Sequence, residues 1–168
     1  MQTGVAFVNL SSDADNATEF ERIRAAGATL VEIRVTWSFV APSGSTTPAG
    51  FQPTNPADPN YHWAPYDAEI SAAVAAGLKP FVTISSAPLW AEGSPFPSSA
   101  VGGSYKPSAS ALAQFATAVA TRYSGSFEGL PRVQYWGIWN EPNLNTFLNP
   151  QMVNKKPFAP SLYRSMLN

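Results

Sequence analysis

A strand–helix unit repeated four times, with short helix-to-strand turns and very long strand-to-helix connections, predicts an α/β fold on a parallel sheet. The first strand is Val5-Ala6-Phe7-Val8-Asn9-Leu10, a short apolar run that reads as buried. Residues 11–15 form a polar loop. Asn16 with Glu19 three residues on has the form of a capping box, opening a helix that carries Phe20 and Ile23 and stops at Gly27. The second strand, Leu30 to Trp37, alternates: Val31, Ile33 and Val35 share one face, and Glu32, Arg34 and Thr36 share the other. A proline-rich connection over residues 38–64 leads to a helix with Pro65 in its first turn, an apolar stripe of Ile70, Ala73 and Val74, and Gly77 at its stop. Pro80-Phe81-Val82-Thr83-Ile84-Ser85 is the third strand. The connection 86–107 follows, then a helix capped by Ser108 or Ser110, with Leu112, Phe115, Val119 and Tyr123 on one face. The fourth strand runs from Val133 through Trp139 and reads as buried. It stops at Asn140-Glu141-Pro142-Asn143, because proline donates no backbone hydrogen bond. After a loop over 142–160, Ser161 to Leu167 begins a fourth helix.

The loop asymmetry carries a further expectation. Connections longer than ~12–15 residues in a compact domain are usually functional. Each very long one here leaves the carboxyl end of a strand, so together they gather on one face, the active face of a (β/α)8 barrel and of a doubly wound sheet alike. No glycine-rich phosphate cradle follows the first strand. On the second strand a wholly aliphatic face lies opposite Glu32 and Arg34. In a barrel that aliphatic face meets the helices and Arg34 points inward near the mouth. A barrel is the favoured reading, and four βα units make its amino-terminal half.

Composition narrows the function. Charged residues make up 12% of the 168 residues and the net charge is −1, which gives no electrostatic case for nucleic acid or an anionic membrane. Without cysteine and with His62 alone, Cys-based and His-rich metal sites are excluded, and no cofactor is expected. No apolar run approaches the ~20 residues of a membrane helix. Met1-Gln2-Thr3-Gly4 lacks the basic and apolar regions of a signal peptide, so the residues themselves leave localisation open.

Candidate site residues cluster at strand ends. Glu141 has two readings: a turn residue among Asn and Pro, or an acid–base group at the mouth of a site. Trp37, Trp90 and Trp139 lie at or just beyond the carboxyl ends of strands two, three and four. They serve either as core volume or as aromatic faces for sugar rings. Arg34 is either the buried partner of Glu32 or a guanidinium that orients a carboxylate in the mouth. Strict alternation sends Asn140 and Glu141 to opposite sides, so both reach one site only where the strand bends or bulges at its end.

Asn140-Glu141-Pro142-Asn143 after a fourth strand, with Arg34 on the second, resembles the retaining glycoside hydrolases of the (β/α)8 clan that includes cellulases, β-glucosidases and β-xylosidases. Ser86-Ala87-Pro88-Leu89-Trp90-Ala91 is similar to the third-strand exit of the β-xylosidase-like members. The resemblance spans all 168 residues as a partial catalytic domain. It implies that Glu141 is the general acid/base, that Asn140 contacts the sugar 2-hydroxyl, and that Arg34 positions the nucleophile. It also implies an oligosaccharide or glycoside substrate and an extracellular setting. In the clan the nucleophile is a Glu ending a seventh strand, which this chain does not contain. Neither Glu92, in a proline-rich loop, nor Glu128, in a helix-to-strand connection, fits the role. The expectation is therefore half a glycosidase, inactive alone, which either joins the remaining half of the barrel or self-associates. Two rival readings are a non-catalytic half-barrel that binds carbohydrate or assembles with a partner, and a barrel lyase or isomerase, most of which use metal or phosphate sites.

Overall fold

The computed structural model describes residues 2–6 and 13–168. The expected first-strand residues 7–10 and loop residues 11 and 12 lie outside the described residues. Four strands, β1 (Gly4–Ala6), β2 (Leu30–Thr36), β3 (Lys79–Ser85) and β4 (Tyr135–Ile138), form one parallel sheet in the order β1-β2-β3-β4. The register of the first pair is Gly4 to Leu30, Val5 to Val31 and Ala6 to Glu32. Helices α1 (Asp13–Ala25), α2 (Trp37–Val40), α3 (Ala64–Ala75), α4 (Ala109–Arg122) and α5 (Ala159–Leu167) alternate with them. A small antiparallel hairpin, β5 (Met152–Val153) with β6 (Lys156–Pro157), precedes α5.

The chain divides into two compact units. The first comprises Met1–Val35, Trp63–Thr83 and Ala120–Gly137, and it holds the bodies of the strands. Its core contains the aliphatic face of β2, with Val31, Ile33 and Val35 fully buried as the alternation requires, while Arg34 on the other face is exposed. Phe20 and Ile23 of α1 and Ile70 and Ala73 of α3 are buried as well, and α1 packs against α3. Both helices end as the glycines predict. Gly27 at φ +91° and Gly77 at φ +79° each sit in a Schellman turn, with Ala28 N–H on Ile23 O and Leu78 N–H on Ala73 O.

Asp67 of α3 joins Arg122 of α4 through two hydrogen bonds, Arg122 Nε to Oδ1 at 2.8 Å and Nη2 to Oδ2 at 2.6 Å. The Tyr123 hydroxyl donates to the same Oδ1 at 3.0 Å. The Arg122 guanidinium lies 5.4 Å from the ring centroids of both Trp63 and Phe127.

The second unit comprises Thr36–His62, Ile84–Val119 and Ile138–Asn168. It is assembled largely from the long strand-to-helix connections, so the expected gathering of those connections is observed as their collapse into one unit. Aromatic packing organises it. Trp37 stacks on Phe115 at 5.3 Å between centroids and meets Trp90 edge-on at 5.6 Å, and Tyr61 and Phe51 extend the cluster. Asp58 folds the proline-rich loop around itself, accepting from Gln52 N–H, Asn60 N–H and the Asn60 amide within 2.9 Å.

Several expectations need correction. The described parts of the strands at the two ends of the sheet are not buried: β1 is exposed throughout and β4 half-buried, because among the described residues each has a neighbouring strand on one side alone. Helix α1 begins at Asp13, so Asn16 is a buried interior residue and not a cap; Asp15 in the first turn favours the earlier start through the helix dipole. Trp37 opens α2 and does not end β2. Helix α5 starts two residues before Ser161, with Pro160 in its first turn, the position in which proline is pre-organised for a helix. Of the two proposed caps on α4, Ser108 serves, its Oγ accepting from Ala111 N–H at 3.2 Å.

Candidate active site

The second unit carries the strand exits. At the end of β4 the backbone leaves the extended region: Trp139 has φ +69° and Glu141 φ +36°, both left-handed and unusual for residues other than glycine. This break cancels the alternation. The Asn140 amide Nδ2 approaches Glu141 Oε2 at 3.4 Å, so the two side chains sit on the same side of the chain. Glu141 is exposed and Asn140 half-buried. Such left-handed residues cost of order 1–3 kcal/mol each and cluster at functional sites. Ser86, just past β3, is a third, at φ +60°.

Three contacts hold this exit in place. Trp139 N–H donates to Ile84 O of β3 at 2.7 Å, and the Trp139 indole Nε1 donates to Phe147 O at 2.7 Å. The Tyr163 hydroxyl of α5 donates to Ile138 O at 2.9 Å. The β2 exit is tied in next, with Ser38 N–H on Ser86 O at 2.9 Å. Ser38, Ser86 and Trp139-Asn140-Glu141 therefore form a continuous row across the ends of β2, β3 and β4. Behind the row lies a cavity of about 100 Å³ lined by Ser85, Ser86, Gly103, Trp139 and Thr146 among others. A side chain at Gly103 would be crowded and strained, since a Cβ would stand 3.0 Å from Ser86 Cα on backbone at φ +86°. A second cavity, about 270 Å³, is walled by Pro142, Asn143, Gln151, Pro160 and Tyr163.

The three tryptophans part company. Trp37 is fully buried, so its place is in the core and not at the surface as a face for sugar. Its position as the first residue of a helical turn, with Val40 one turn later, rotates both inward. Trp139 is 5% exposed and borders the 100 Å³ cavity. Trp90 is half-buried, anchored by its Nε1 on Pro42 O at 2.8 Å, and keeps part of its surface open.

Arg34 belongs to the first unit. Its side chain is exposed, and among the described residues no carboxylate lies within ion-pair distance of it. The pairing of Arg34 with Glu32 is therefore not found; Glu32 accepts from the Thr83 hydroxyl at 2.8 Å instead. Glu128 is also in the first unit. Glu92, in the second, is engaged elsewhere: its carboxylate accepts backbone N–H groups of Tyr105 (2.8 Å), Gly103 and Ser104. Burial pushes its carboxyl above the usual range, against those three donors. It holds the 103–105 loop, whose Gly103 lines the 100 Å³ cavity.

Sequence reading missed Phe39. It is 74% exposed on α2, two residues after the buried Trp37, and a four-residue helix leaves too little periodicity to reveal which residue faces out.

A parallel α/β sheet with an exposed carboxylate at a strand's carboxyl end is an arrangement shared by many barrel and open-sheet enzymes. No protein-family model matches the chain, and no curated protein matches it. Among solved structures, it is similar to a family 39 glycoside hydrolase from the gut symbiont Bacteroides cellulosilyticus WH2, with a TM-score of 0.53 and 25% identity. The match covers 97% of this chain and 27% of that one, so this chain spans about a quarter of that protein. The similarity to a glycoside hydrolase is thus at the level of the fold.

Proposed function

We propose that these residues form one side of the active site of a retaining glycoside hydrolase with a (β/α)8 barrel, in which Glu141 is the general acid/base. The observation that carries this reading is the left-handed break at Trp139 and Glu141, which brings Asn140 and Glu141 to one side at the end of β4. Glu141 protonates the departing glycosidic oxygen as the bond from C1 breaks and a second carboxylate bonds to C1. It then takes a proton from the water that attacks C1 and frees that carboxylate. Asn140 donates its amide to the sugar 2-hydroxyl. Trp90 and Trp139 border the sugar.

A retaining pair needs its two carboxyl groups ~5–5.5 Å apart. Glu92 is taken up by backbone donors, and this reading assigns the nucleophile to a glutamate outside the described residues. The 168 residues alone are then inactive. The rival reading, a half-barrel that binds or assembles without catalysis, draws on one feature of the first unit. A hollow of about 410 Å³ lies on the sheet, lined by Val5, Ala6, Leu30, Glu32, Phe81 and Tyr135 among others.

The two readings separate in the full natural chain. Glu141→Gln is expected to slow hydrolysis of glycosides with poor leaving groups by ~10²–10⁴-fold. Glycosylation by aryl glycosides with acidic leaving groups, which need little protonation, suffers far less. Equal losses on both substrate types would remove the acid/base assignment, and glycan binding with no turnover in the wild type would favour the rival.

A further inference from the structure

We propose that Phe39 is a stacking platform for a sugar ring in a subsite beyond the ring on which Glu141 acts, so that the site favours oligosaccharides over monosaccharide glycosides; this rests on the glycosidase reading above. The ring is 74% exposed, yet its backbone is fixed. Trp37 and Val40 of the same turn are fully buried, Ala41 N–H returns to Trp37 O at 2.9 Å, and His62 N–H donates to Val40 O at 2.8 Å. Ser38 N–H is held by Ser86 O. The ring is thus held in water on a tethered turn and adds nothing to the core.

Its position gives the ring a use. Phe39 lies at the β2 exit, in the same row as Ser86 and Asn140-Glu141. The sheet order puts β3 between β2 and β4, so the two exits stand two strand spacings of about 4.8 Å apart. That exceeds the width of one pyranose ring, and a sugar on Phe39 is therefore not the one whose bond Glu141 protonates. The surroundings select a sugar over a protein surface. One exposed aromatic ring matches the apolar C–H face of one sugar, whereas a protein partner calls for a contiguous apolar patch of several hundred Å².

The test uses the full natural chain with Phe39→Ala and Phe39→Trp, assayed on aryl monoglycosides and on oligosaccharides of increasing length. Phe39→Ala is expected to lower kcat/KM on oligosaccharides by roughly fivefold more than on aryl monoglycosides, the ratio for about 40 Å² of apolar surface left in water. The effect lies in KM, and Phe39→Trp restores or improves it. Equal losses on short and long substrates, or no loss on either, overturn the proposal. Titration of oligosaccharides into a Glu141→Gln background by NMR reads the same loss of affinity without turnover. If the Phe39 substitutions leave that affinity unmoved, or if no oligosaccharide binds, Phe39 is not a platform. The role of Glu141 is judged separately, by the leaving-group comparison.

Discussion

Removing the carboxylate of Asp67 tests how the first unit is held together. In Asp67→Ala, Arg122 loses both of its hydrogen bonds to carboxylate, at 2.8 and 2.6 Å, and the fully buried Tyr123 hydroxyl loses its 3.0 Å acceptor. The guanidinium stays near the Trp63 and Phe127 rings without its hydrogen-bonded carboxylate, and the more distant charge of Glu128 still acts on it. Burial opposes its charge, and the bonds to Asp67 more than offset that at present. Breaking a buried pair from one side costs ~3–5 kcal/mol, and the residual side-chain exposure, 10% for Arg122 and 20% for Asp67, brings the expectation to about 2–4 kcal/mol. Urea titration followed by tryptophan fluorescence measures it. Asp67→Leu combined with Arg122→Met is expected to cost much less than the sum of the single changes, because no charge is then left alone. A loss below about 1 kcal/mol for Asp67→Ala would refute the reasoning.

Other expectations concern the second unit. Glu92 has a folded-state pKa above its unfolded value of 4.5, so its contribution to stability is full below pH 4.5 and fades as pH rises through the raised pKa. Glu92→Gln removes this dependence, and unfolding curves collected across that window are expected to be flatter than the wild type's. Trp37→Ala is expected to destabilise the chain by ~3–5 kcal/mol, as a core residue does. Trp37→Phe costs less, because the indole Nε1 is buried with no hydrogen-bond partner among the described residues. Selective loss of sugar binding at full stability would instead return Trp37 to the surface.

What the sequence made legible follows from which signals are local. The alternation in Leu30–Thr36 and the glycines after α1 and α3 act within a few residues, and each gave the right face or the right stop. Burial of a strand depends on its neighbours. The apolar content of the first and fourth strands therefore suggested burial, although among the described residues β1 and β4 each have a neighbour on one side alone. The side taken by Asn140 and Glu141 was beyond pattern reading, because it depends on two left-handed residues, neither of them glycine. Trp37 and Phe39 show the same limit. A four-residue turn after β2 exchanges inside and outside, burying the tryptophan that looked like a platform and exposing a phenylalanine that drew no notice. The fit of Glu92 into the backbone of 103–105, distant in sequence, likewise required the folded chain.

The central claim is that Glu141 is the acid/base of a retaining site, and azide rescue of Glu141→Ala in the full natural chain tests it most directly. With the acid/base gone, an activated aryl glycoside still loads the nucleophile. The stalled glycosyl-enzyme is then open to a small anion that needs no base. The account predicts that azide accelerates turnover and yields a glycosyl azide with the anomeric configuration of the substrate. An azide product of inverted configuration would make Glu141 the nucleophile, and no acceleration together with unimpaired hydrolysis would take it out of the chemistry altogether.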